Sequence, residues 1–341
     1  MTRLKHRVDM KNKFKVALIG CGVISDNHIT SLLALECVEI VSLVDIDTKK
    51  AKAKKEKYGL DCRIYSDYIK MLDTEKPDAI HVLTPHHLHT EMTLEALSRD
   101  VNVLLEKPMC IKPEDIEKII CAEKSSKATV SICFQTRFNE TVKLAKQLTD
   151  EDGGVVNAYA TVVWNRDDAY YAQGEWRGKK DTEGGGVMIN QAIHTLDLLC
   201  IFLGIPKNIQ AKCSKLRHTD AVEVEDACNC IIGFENGSTA LVFATTNYSG
   251  LDSTSLHLET KNHTIEIKEP NLYVDGNLVE MPKITEYVGK KCYGTGHAPL
   301  VRNFYTSLEE NRTTPIPPVS AQHAVKIILG AYASDGKMID L

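Results

Sequence analysis

The sequence predicts an α/β domain with a doubly wound parallel sheet, followed by an α+β domain with a large, open mixed or antiparallel sheet. Strand-like and helix-like segments alternate up to about residue 136, which is typical of β-α-β units. Beyond that point strands follow one another and two helices close the chain, as in α+β domains. A length of 341 residues also exceeds what one core usually serves. We therefore predict domains at 14–136 and 137–341, with the last helix able to pack back on the first.

The first domain contains short, continuously apolar segments separated by helical ones. Continuous apolarity is typical of strands in a sheet covered on both faces. The last predicted helix opens on Pro113 and two acidic residues, a favourable start. The predicted strands are 14–20, 38–45, 78–84, 101–107 and 128–134, and the predicted helices are 25–35, 48–58, 88–98 and 113–124.

The second domain begins with a helix at 140–149 and a strand at 155–165. A glycine-rich turn and an apolar helix at 187–203 follow. Turn signals such as Glu235-Asn236-Gly237 then separate strand-like segments. These strands are 207–216, 225–234, 238–247, 254–260 and 263–268, and the closing helices are 299–309 and 320–334.

Composition excludes several classes of protein. The 43% hydrophobic and 26% charged residues are ordinary for a globular chain, and a net charge of −5 argues against general affinity for nucleic acid or anionic membranes. The most apolar stretch, 187–205, contains polar side chains and fits a buried helix better than a membrane span. The first thirteen residues lack the apolar run of a signal peptide. Eleven scattered cysteines without a C-x-x-C pair favour free thiols, so we expect a cytoplasmic protein.

The turn between the first strand and the first helix has the pattern of a dinucleotide site. Gly20 permits a tight turn, and Gly22 lets the backbone approach a pyrophosphate. The helix N-terminus then offers free N–H groups to the phosphates. Ser25 occupies the third glycine position, so the fingerprint is imperfect.

A carboxylate, Asp45, closes the second predicted strand 25 positions beyond Gly20. This is near the spacing of the group that bonds the adenosine ribose, and it would repel a 2′-phosphate. NAD is therefore favoured over NADP. Asp47 is an alternative ribose ligand or a helix cap, and Lys49 with Lys50 could serve a 2′-phosphate.

Two strand ends carry candidates for chemistry, because ligands bind outside the carboxyl ends of parallel strands. Lys107, in Glu106-Lys107-Pro108, could bond a substrate hydroxyl, stabilise an alkoxide or accept a proton. The alternative is a solvated surface lysine. In Thr84-Pro85-His86-His87-Leu88-His89 no carboxylate or thiolate at ligand spacing accompanies the histidines, so we predict no metal. Cofactor contacts or helix capping explain them better.

Three glycines, 184–186, precede the apolar helix of the second domain. Such a run lets a backbone or a ligand approach closely. Asn190, His194 and Asp197 then recur at helical spacing and would share one face. A polar stripe of this kind is either a hydrogen-bonded core feature or the lining of a site, and the pattern leaves both readings open.

Together these segments resemble a known family. The motifs are ALIGCGVISDNHI, the aspartate ending the second strand, TPHHLH, LLEKP and GGGVMINQAIHTLDLL. In order and spacing they resemble the Gfo/Idh/MocA oxidoreductases, which include inositol, glucose–fructose and nucleotide-sugar dehydrogenases. The resemblance extends from about Phe14 to the last helix. It implies a Rossmann-type first domain and a second domain whose open sheet often supports homo-oligomers, here a dimer or tetramer.

The resemblance also implies residue roles. Lys107 and His194 would be the catalytic pair, with His194 as general base and Lys107 orienting the hydroxyl and the nicotinamide, although the proton acceptor varies among relatives. Many relatives carry aspartate where this chain has Asn190, which cannot stabilise an imidazolium by charge. Arg137, Asn190 and Asp197 would contact substrate, and the loop Gly294–His297 resembles one near the active site. The implied cofactor contacts are Gly20, Cys21, Gly22, Val23, Ile24, Asp45, Thr84, Pro85, His87, His89, Glu106, Lys107, Trp176 and Arg177.

The function this implies is hydride transfer between NAD, or less favourably NADP, and a secondary alcohol or ketone carbon of a small polyhydroxylated substrate: a sugar, cyclitol or nucleotide-sugar. Alternatives are a glycosidase or an aldose–aldose couple with a bound, transiently reduced cofactor, and a non-catalytic cofactor sensor. Retention of Lys107 and His194 argues against the sensor. An anionic substrate would find natural partners in Arg137 and Arg177. Four tyrosines could stack on a sugar or simply pack, namely Tyr170, Tyr171, Tyr248 and Tyr293.

Overall fold

The computed structural model describes residues 13–218, 221–250, 252–281 and 294–341. These ranges build two sheets, one of six strands and one of nine. Tyr293, one of the four tyrosines considered above, lies outside the described residues. None of the helices in the described ranges is both long and apolar enough to cross a membrane.

The first sheet is parallel throughout its described pairings, which confirms the doubly wound prediction. Its strand order is β3-β2-β1-β4-β5-β6, so the direction of winding reverses between β1 and β4. Ligands of such sheets bind at this reversal. The strands are β1 (Phe14–Ile19), β2 (Val38–Val44), β3 (Arg63–Tyr65), β4 (Ala79–Val82), β5 (Asn102–Leu105) and β6 (Val130–Ile132).

Five helices accompany these strands within the described part of the first half: α1 (Ser25–Leu33), α2 (Thr48–Tyr58), α3 (Tyr68–Glu75), α4 (His89–Leu97) and α5 (Pro113–Ser125). The sequence analysis missed β3 and α3. The strand has three residues at the sheet edge, and none of them is fully buried, so no apolar run marks it. The third and fourth predicted strands are consequently β4 and β5.

The second sheet is mixed, as predicted, because β10 pairs with β7 in parallel and the other described pairs are antiparallel. Its order is β14-β13-β12-β11-β7-β10-β9-β8-β15. Strands 13, 14 and 15 were not predicted; they are short, and most of their side chains are exposed or only partly buried. The strands are β7 (Asn157–Val163), β8 (Pro206–Ser214), β9 (Ala227–Phe234), β10 (Thr239–Thr245), β11 (Ser253–Glu259), β12 (Thr264–Lys268), β13 (Asn271–Val274), β14 (Asn277–Leu278) and β15 (Met338–Asp340).

Helices cover one face of this sheet, with the sixth against β12, the eighth against β7 and the tenth against β8. The last helix also contacts α5 and β6 of the first half. Just before it, the carbonyl oxygen of Ile316 accepts a hydrogen bond from the N–H of Ile132 at 2.9 Å. The two halves therefore share a packed boundary. The helices are α6 (Glu140–Glu151), α7 (Asp168–Tyr171), α8 (Ile193–Leu203), α9 (His297–Glu309) and α10 (Pro318–Ser334).

Candidate active site

A tight turn joins β1 to α1 at the reversal point of the first sheet. Gly20 has a φ of +101°, and a Cβ there would lie 2.5 Å from the carbonyl oxygen of Leu83, so a side chain would collide with the end of β4. At Gly22 a Cβ would meet no atom within 4 Å. Ser25 is buried and donates to the carbonyl of Gly22 at 2.7 Å, which stabilises the turn. The start of α1 is therefore open to a phosphate. The turn is completed by the exposed Val23 and the half-buried Ile24.

Asp45 lies beside this turn. Its Oδ2 accepts from the backbone N–H of Cys21 at 2.9 Å, and its Oδ1 accepts from the N–H of Asp47 at 2.9 Å. Asp47 accepts from the N–H of Lys49 and caps α2. Of the two roles considered for Asp47, the structure shows the cap. Asp45 is thus the carboxylate held next to the glycine turn.

The histidines after β4 connect the two halves of the chain. Nδ1 of the buried His86 lies 2.7 Å from the carbonyl oxygen of Glu183. The backbone N–H of the exposed His87 donates to the carbonyl of Thr182 at 3.2 Å. The end of β4 is thereby held to the loop that precedes the three glycines.

His89 has both ring nitrogens occupied within the protein. Nδ1 lies 2.7 Å from the carbonyl oxygen of Pro108, and Nε2 lies 2.9 Å from that of Thr84. Burial lowers its pKa. The ring therefore joins the loops after β4 and β5, and its partner Thr84 is followed in the chain by Pro85. Of His87 and His89, which were both predicted to contact a cofactor, His87 has an exposed side chain and His89 is buried.

Lys107 follows β5 and points toward the second half of the chain. Its Nζ donates to the carbonyl oxygen of Asn190 at 3.0 Å and lies 3.4 Å from Asn190 Oδ1. Burial lowers the pKa of Lys107, while the neighbouring Glu106 carboxylate raises it. The alternative of a solvated surface lysine does not fit these contacts. A partly desolvated ammonium releases its proton more readily than a free one.

The helix that carries His194 does not have regular α-helical spacing. Residues Met188–Ala192 form a π-helical segment, and α8 begins at Ile193. This corrects the prediction of one continuous helix with its polar side chains in register, because a π turn adds a residue per turn. Nδ1 of His194 is buried and has no hydrogen-bond partner among the described residues. Burial and the nearby Lys107 lower the pKa of His194 to about 3, so its ring is neutral.

Arg137 and Asp197 form a buried ion pair with each other. The guanidinium donates through Nε at 2.7 Å and through Nη2 at 2.5 Å to the two carboxylate oxygens. Its Nη1 donates to Ser320 at 3.0 Å. Asp197 thus faces Arg137, whereas Asn190 faces Lys107, so the predicted common face is divided between two partners.

Asn190 also belongs to a network with the loop 166–181. Its Nδ2 donates to Glu183 Oε1 at 2.6 Å and lies 3.3 Å from the hydroxyl of Tyr170. Arg177 donates to the same hydroxyl at 2.6 Å, and its guanidinium stacks on the rings of Tyr170 and Trp176. These side chains form a wall facing Lys107. Among the tyrosines noted above, Tyr170 contributes its hydroxyl to this network.

The three glycines bring the start of this helix against the protein itself. A Cβ at Gly186 would lie 1.8 Å from the carbonyl oxygen of Glu225, and one at Gly185 would lie 1.9 Å from the hydroxyl of Tyr332. Gly184 has a φ of +86°. The close approach predicted for the glycine run is therefore made by backbone and side chain, which fixes the position of Asn190 and His194.

Comparisons with known proteins identify the fold around this site. A family model described as an oxidoreductase family with an NAD-binding Rossmann fold matches residues 14–134. The C-terminal domain model of the same family matches residues 142–266.

The chain belongs to the Gfo/Idh/MocA oxidoreductase family. It is similar to D-glucoside 3-dehydrogenase of Escherichia coli K12, with 29% identity over 239 residues, 65% of this chain and 67% of that protein. It is also similar to D-apiose dehydrogenase of Paraburkholderia graminis, with 25% identity over 67% of this chain and 60% of that protein. Among solved structures, WlbA dehydrogenase from Bordetella pertussis, in complex with NADH and UDP-GlcNAcA, superposes with a TM-score of 0.87 and 24% identity, covering 97% of this chain and 98% of that one.

An NAD-binding Gfo/Idh/MocA oxidoreductase needs a cradle for the dinucleotide, and the residues of this chain fit one. The turn after β1 is open at Gly22, and the Asp45 carboxylate lies beside it. At the far end of the same sheet edge, Lys107 lies near Arg177 and near His194, whose Nδ1 has no hydrogen-bond partner among the described residues. These groups fit a nicotinamide and a hydroxylated substrate.

Glu183 and His28 of this Gfo/Idh/MocA site were not found from the sequence, whereas the loop that contains His297 was predicted near it. Glu183 is fully buried and accepts from Asn190 and from the N–H of Gly178, but it sits in a polar loop where nothing marks it as buried. His28 lies on α1, within the quoted glycine motif, and contacts Glu106. His297, in the loop predicted near the site, lies beside Glu106 and Lys107, and burial lowers its pKa to about 4.

Proposed function

We propose that this enzyme transfers a hydride between NAD and a secondary alcohol or ketone carbon of a sugar, cyclitol or nucleotide-sugar. The observation that carries the proposal is the meeting of Lys107 and His194, from opposite halves of the chain, at the carboxyl edge of the first sheet. The named relatives act on a glucoside and on apiose, both polyhydroxylated.

NAD, when bound, supplies the nicotinamide carbon that accepts the hydride. The turn from Gly20 to Ile24 would hold its phosphates, and Asp45 would bond the adenosine ribose. A carboxylate at that point disfavours a 2′-phosphate, which supports NAD over NADP.

Lys107 binds and orients the reacting hydroxyl. Two of its three N–H directions are taken by the carbonyl and amide oxygens of Asn190, which leaves one to donate to the substrate oxygen. The positive charge of the ammonium beside this oxygen stabilises the alkoxide that develops as the C–H bond breaks. Because Asn190 is neutral, the ammonium is not neutralised by a direct carboxylate partner.

His194 accepts the hydroxyl proton. Its ring is neutral, so one of its two nitrogens carries the lone pair that accepts this proton. In oxidation the O–H proton passes to this ring, the hydride leaves carbon, and a ketone remains, so the charges balance. In reduction the same groups return the proton.

Two further features of the molecule bear on its oligomeric state and its location. The outward face of the second sheet carries exposed apolar side chains, which supports a homo-oligomer formed through that face. The ten described cysteines are free thiols, which supports a reducing compartment such as the cytoplasm.

The test is an absorbance assay at the reduced-nicotinamide band with inositols, free sugars and UDP-sugars, each with NAD and with NADP. We expect turnover with NAD, and Lys107→Ala and His194→Ala should each lower kcat by on the order of 10²–10⁴ while NADH binding is retained. His263→Ala and Lys118→Ala, at sites remote from this edge, are the controls. Near-normal activity of both catalytic variants would contradict the assignment. If the wild type turns over none of these substrates but releases a cofactor on denaturation, the glycosidase with a transiently reduced bound cofactor or the sensor would be favoured.

A further inference from the structure

A chain of hydrogen bonds runs through the core behind the catalytic pair. The hydroxyl of Tyr305 lies 2.9 Å from His81 Nε2, and His81 Nδ1 lies 2.8 Å from His28 Nδ1. His28 Nε2 lies 3.0 Å from Glu106 Oε1. The three side chains before Glu106 are 0% exposed, and Glu106 is 8% exposed. The members come from α9, β4, α1 and the end of β5, so tertiary structure alone brings them together.

The donor directions in this chain are constrained. A carboxylate only accepts, so Nε2 of His28 must carry the proton it donates to Glu106. Burial lowers the pKa of His81 well below its ordinary value, so this ring carries one proton. With a neutral His28, Tyr305 donates to His81 and His81 donates to His28. With a protonated His28, both of these bonds run the other way. In either pattern His28 donates to Glu106.

Glu106 is the anion around which the site is built. The titratable side chains that face it from the surrounding elements are His28 of α1, His81 of β4, His89 of α4, Lys107 next in the chain, Cys133 after β6, His194 of α8 and His297 of α9. Burial by itself would raise the pKa of the Glu106 carboxyl, and the hydrogen bond from His28 together with the electrostatic effect of the surrounding basic side chains reverses this and lowers it to about 2. The charge of Glu106 in turn raises the pKa of both Lys107 and His194.

We propose that His28, His81 and Tyr305 are positioning residues that keep Glu106 ionised and oriented beside Lys107 and His194. The proposal rests on the proposed function, in which one of that pair takes the substrate proton. The proton acceptor becomes positive during oxidation, and a fixed anion behind it stabilises that charge in a site with little water. Glu106 therefore acts on the reaction through the pair rather than by touching substrate.

The same cluster has a competing description. The donor atoms of His28, Glu106 and Cys133 all lie within 4.8 Å of one another, a spacing that a metal ion could bridge. The direct contact between His28 and Glu106 instead has hydrogen-bond geometry. Metal analysis of the purified wild type decides between the two, and a stoichiometric bound transition metal would overturn the proposal.

The kinetic test compares His28→Leu, His81→Phe and Tyr305→Phe with wild type over a pH series of kcat/KM for alcohol oxidation. In His28→Leu the donor to Glu106 is lost, so Glu106 becomes protonated and its charge no longer stabilises the protonated form of the base. We expect kcat to fall about tenfold or more, and the acid limb to move down by about one pH unit. KM and NADH affinity should change little.

His28→Gln keeps an N–H donor and should restore part of kcat. Tyr65→Phe, which removes a hydroxyl bonded to Glu75 elsewhere in the first domain, is the control.

Lower activity with an unshifted acid limb would mean a merely structural role and would overturn the proposal. Because these core variants can fail to fold, a second measurement uses wild-type protein labelled with ¹⁵N-histidine. Its NMR spectrum should show His28 protonated at Nε2 and His81 neutral near pH 7; a His28 with a bare Nε2 would overturn the proposal. This spectrum needs no substrate, so failure of the chain and failure of the dehydrogenase proposal are distinguishable.

Discussion

The carboxylate of Asp197 is 0% exposed and accepts two hydrogen bonds from Arg137. Burial raises the pKa of Asp197, and the guanidinium opposes this effect. Bidentate geometry and the third bond to Ser320 satisfy most of the polar groups involved. The resemblance implied that both residues contact substrate. Their mutual pairing assigns them a structural contact, and a substrate role remains a prediction.

Breaking this pair from one side should be costly. Arg137→Met leaves an unpaired buried carboxylate, so we expect a loss of about 3–5 kcal/mol in the free energy of unfolding, measured by urea denaturation. The double variant Arg137→Met/Asp197→Leu should recover much of it. Lys146→Met, which breaks an exposed pair with Asp150, should cost at most about 1 kcal/mol. A stable double variant without activity would instead support the predicted contact with substrate.

At the scale of elements, the segment from Gly184 to the π turn is held by one carboxylate. Glu225 accepts from the N–H of Gly186 at 2.8 Å and of Met188 at 3.0 Å, and from the hydroxyl of Tyr332 at 3.1 Å. Burial raises the pKa of Glu225 to about 7 despite these bonds. The carboxylate therefore caps the helix that carries His194.

The raised pKa of Glu225 makes the stability of this helix start depend on pH. A carboxyl whose pKa is higher folded than unfolded stabilises the protein most below its unfolded value, and this stabilisation is lost as pH rises through about 7. We expect Glu225 to contribute a loss on the order of 2–3 kcal/mol between pH 5 and pH 8. Relative to wild type, Glu225→Gln should be less destabilising at pH 8 than at pH 5, by urea unfolding at both values. Glu117→Gln, on exposed α5, should show equal effects at both; a Glu225→Gln effect independent of pH would contradict the prediction.

At the scale of the whole molecule, the helices cover one face of the nine described strands and leave the other open. That open face carries Tyr159 at 50% exposure, Leu241 at 53% and Phe243 at 41%. They project from the neighbouring strands β7 and β10, which pair in parallel at the middle of the sheet. Contiguous exposed apolar area on one face is typical of a surface that another protein covers, and a second copy of this chain is the proposed occupant.

Charges on this face should dissociate the oligomer. We expect wild type to run as a dimer or tetramer in size-exclusion chromatography with light scattering, and Leu241→Glu/Phe243→Glu to run as a monomer, because a desolvated carboxylate opposes the interface. Leu33→Glu, at an exposed site on α1, should leave the mass unchanged. A wild type that is monomeric at micromolar concentration would refute the proposed interface.

The architecture could be predicted from the sequence because the apolar runs and turns that specify it lie within short segments of the chain. Continuous apolar runs specify buried parallel strands, and the turn around Gly20 and Gly22 predicts where a dinucleotide would meet α1. Lys107 and His194 were likewise found from motifs. The edge strand β3 and the short strands β13 to β15 escaped because each has at most four residues and few of their side chains are buried, so no apolar run marks them.

Tertiary structure alone decided what each polar group contacts. Nothing in the local pattern says that Asp197 pairs with Arg137, 60 residues away, or that Glu225 caps the helix of His194. The chain from Tyr305 to Glu106 joins side chains separated by as many as 224 positions. Period and composition report which face of an element is buried, whereas hydrogen-bond partners depend on which elements pack together. The sequence by itself therefore determined the fold and the cofactor and pointed to Lys107 and His194 as the proposed catalytic pair, whereas the packing decided the electrostatic surroundings of these two side chains.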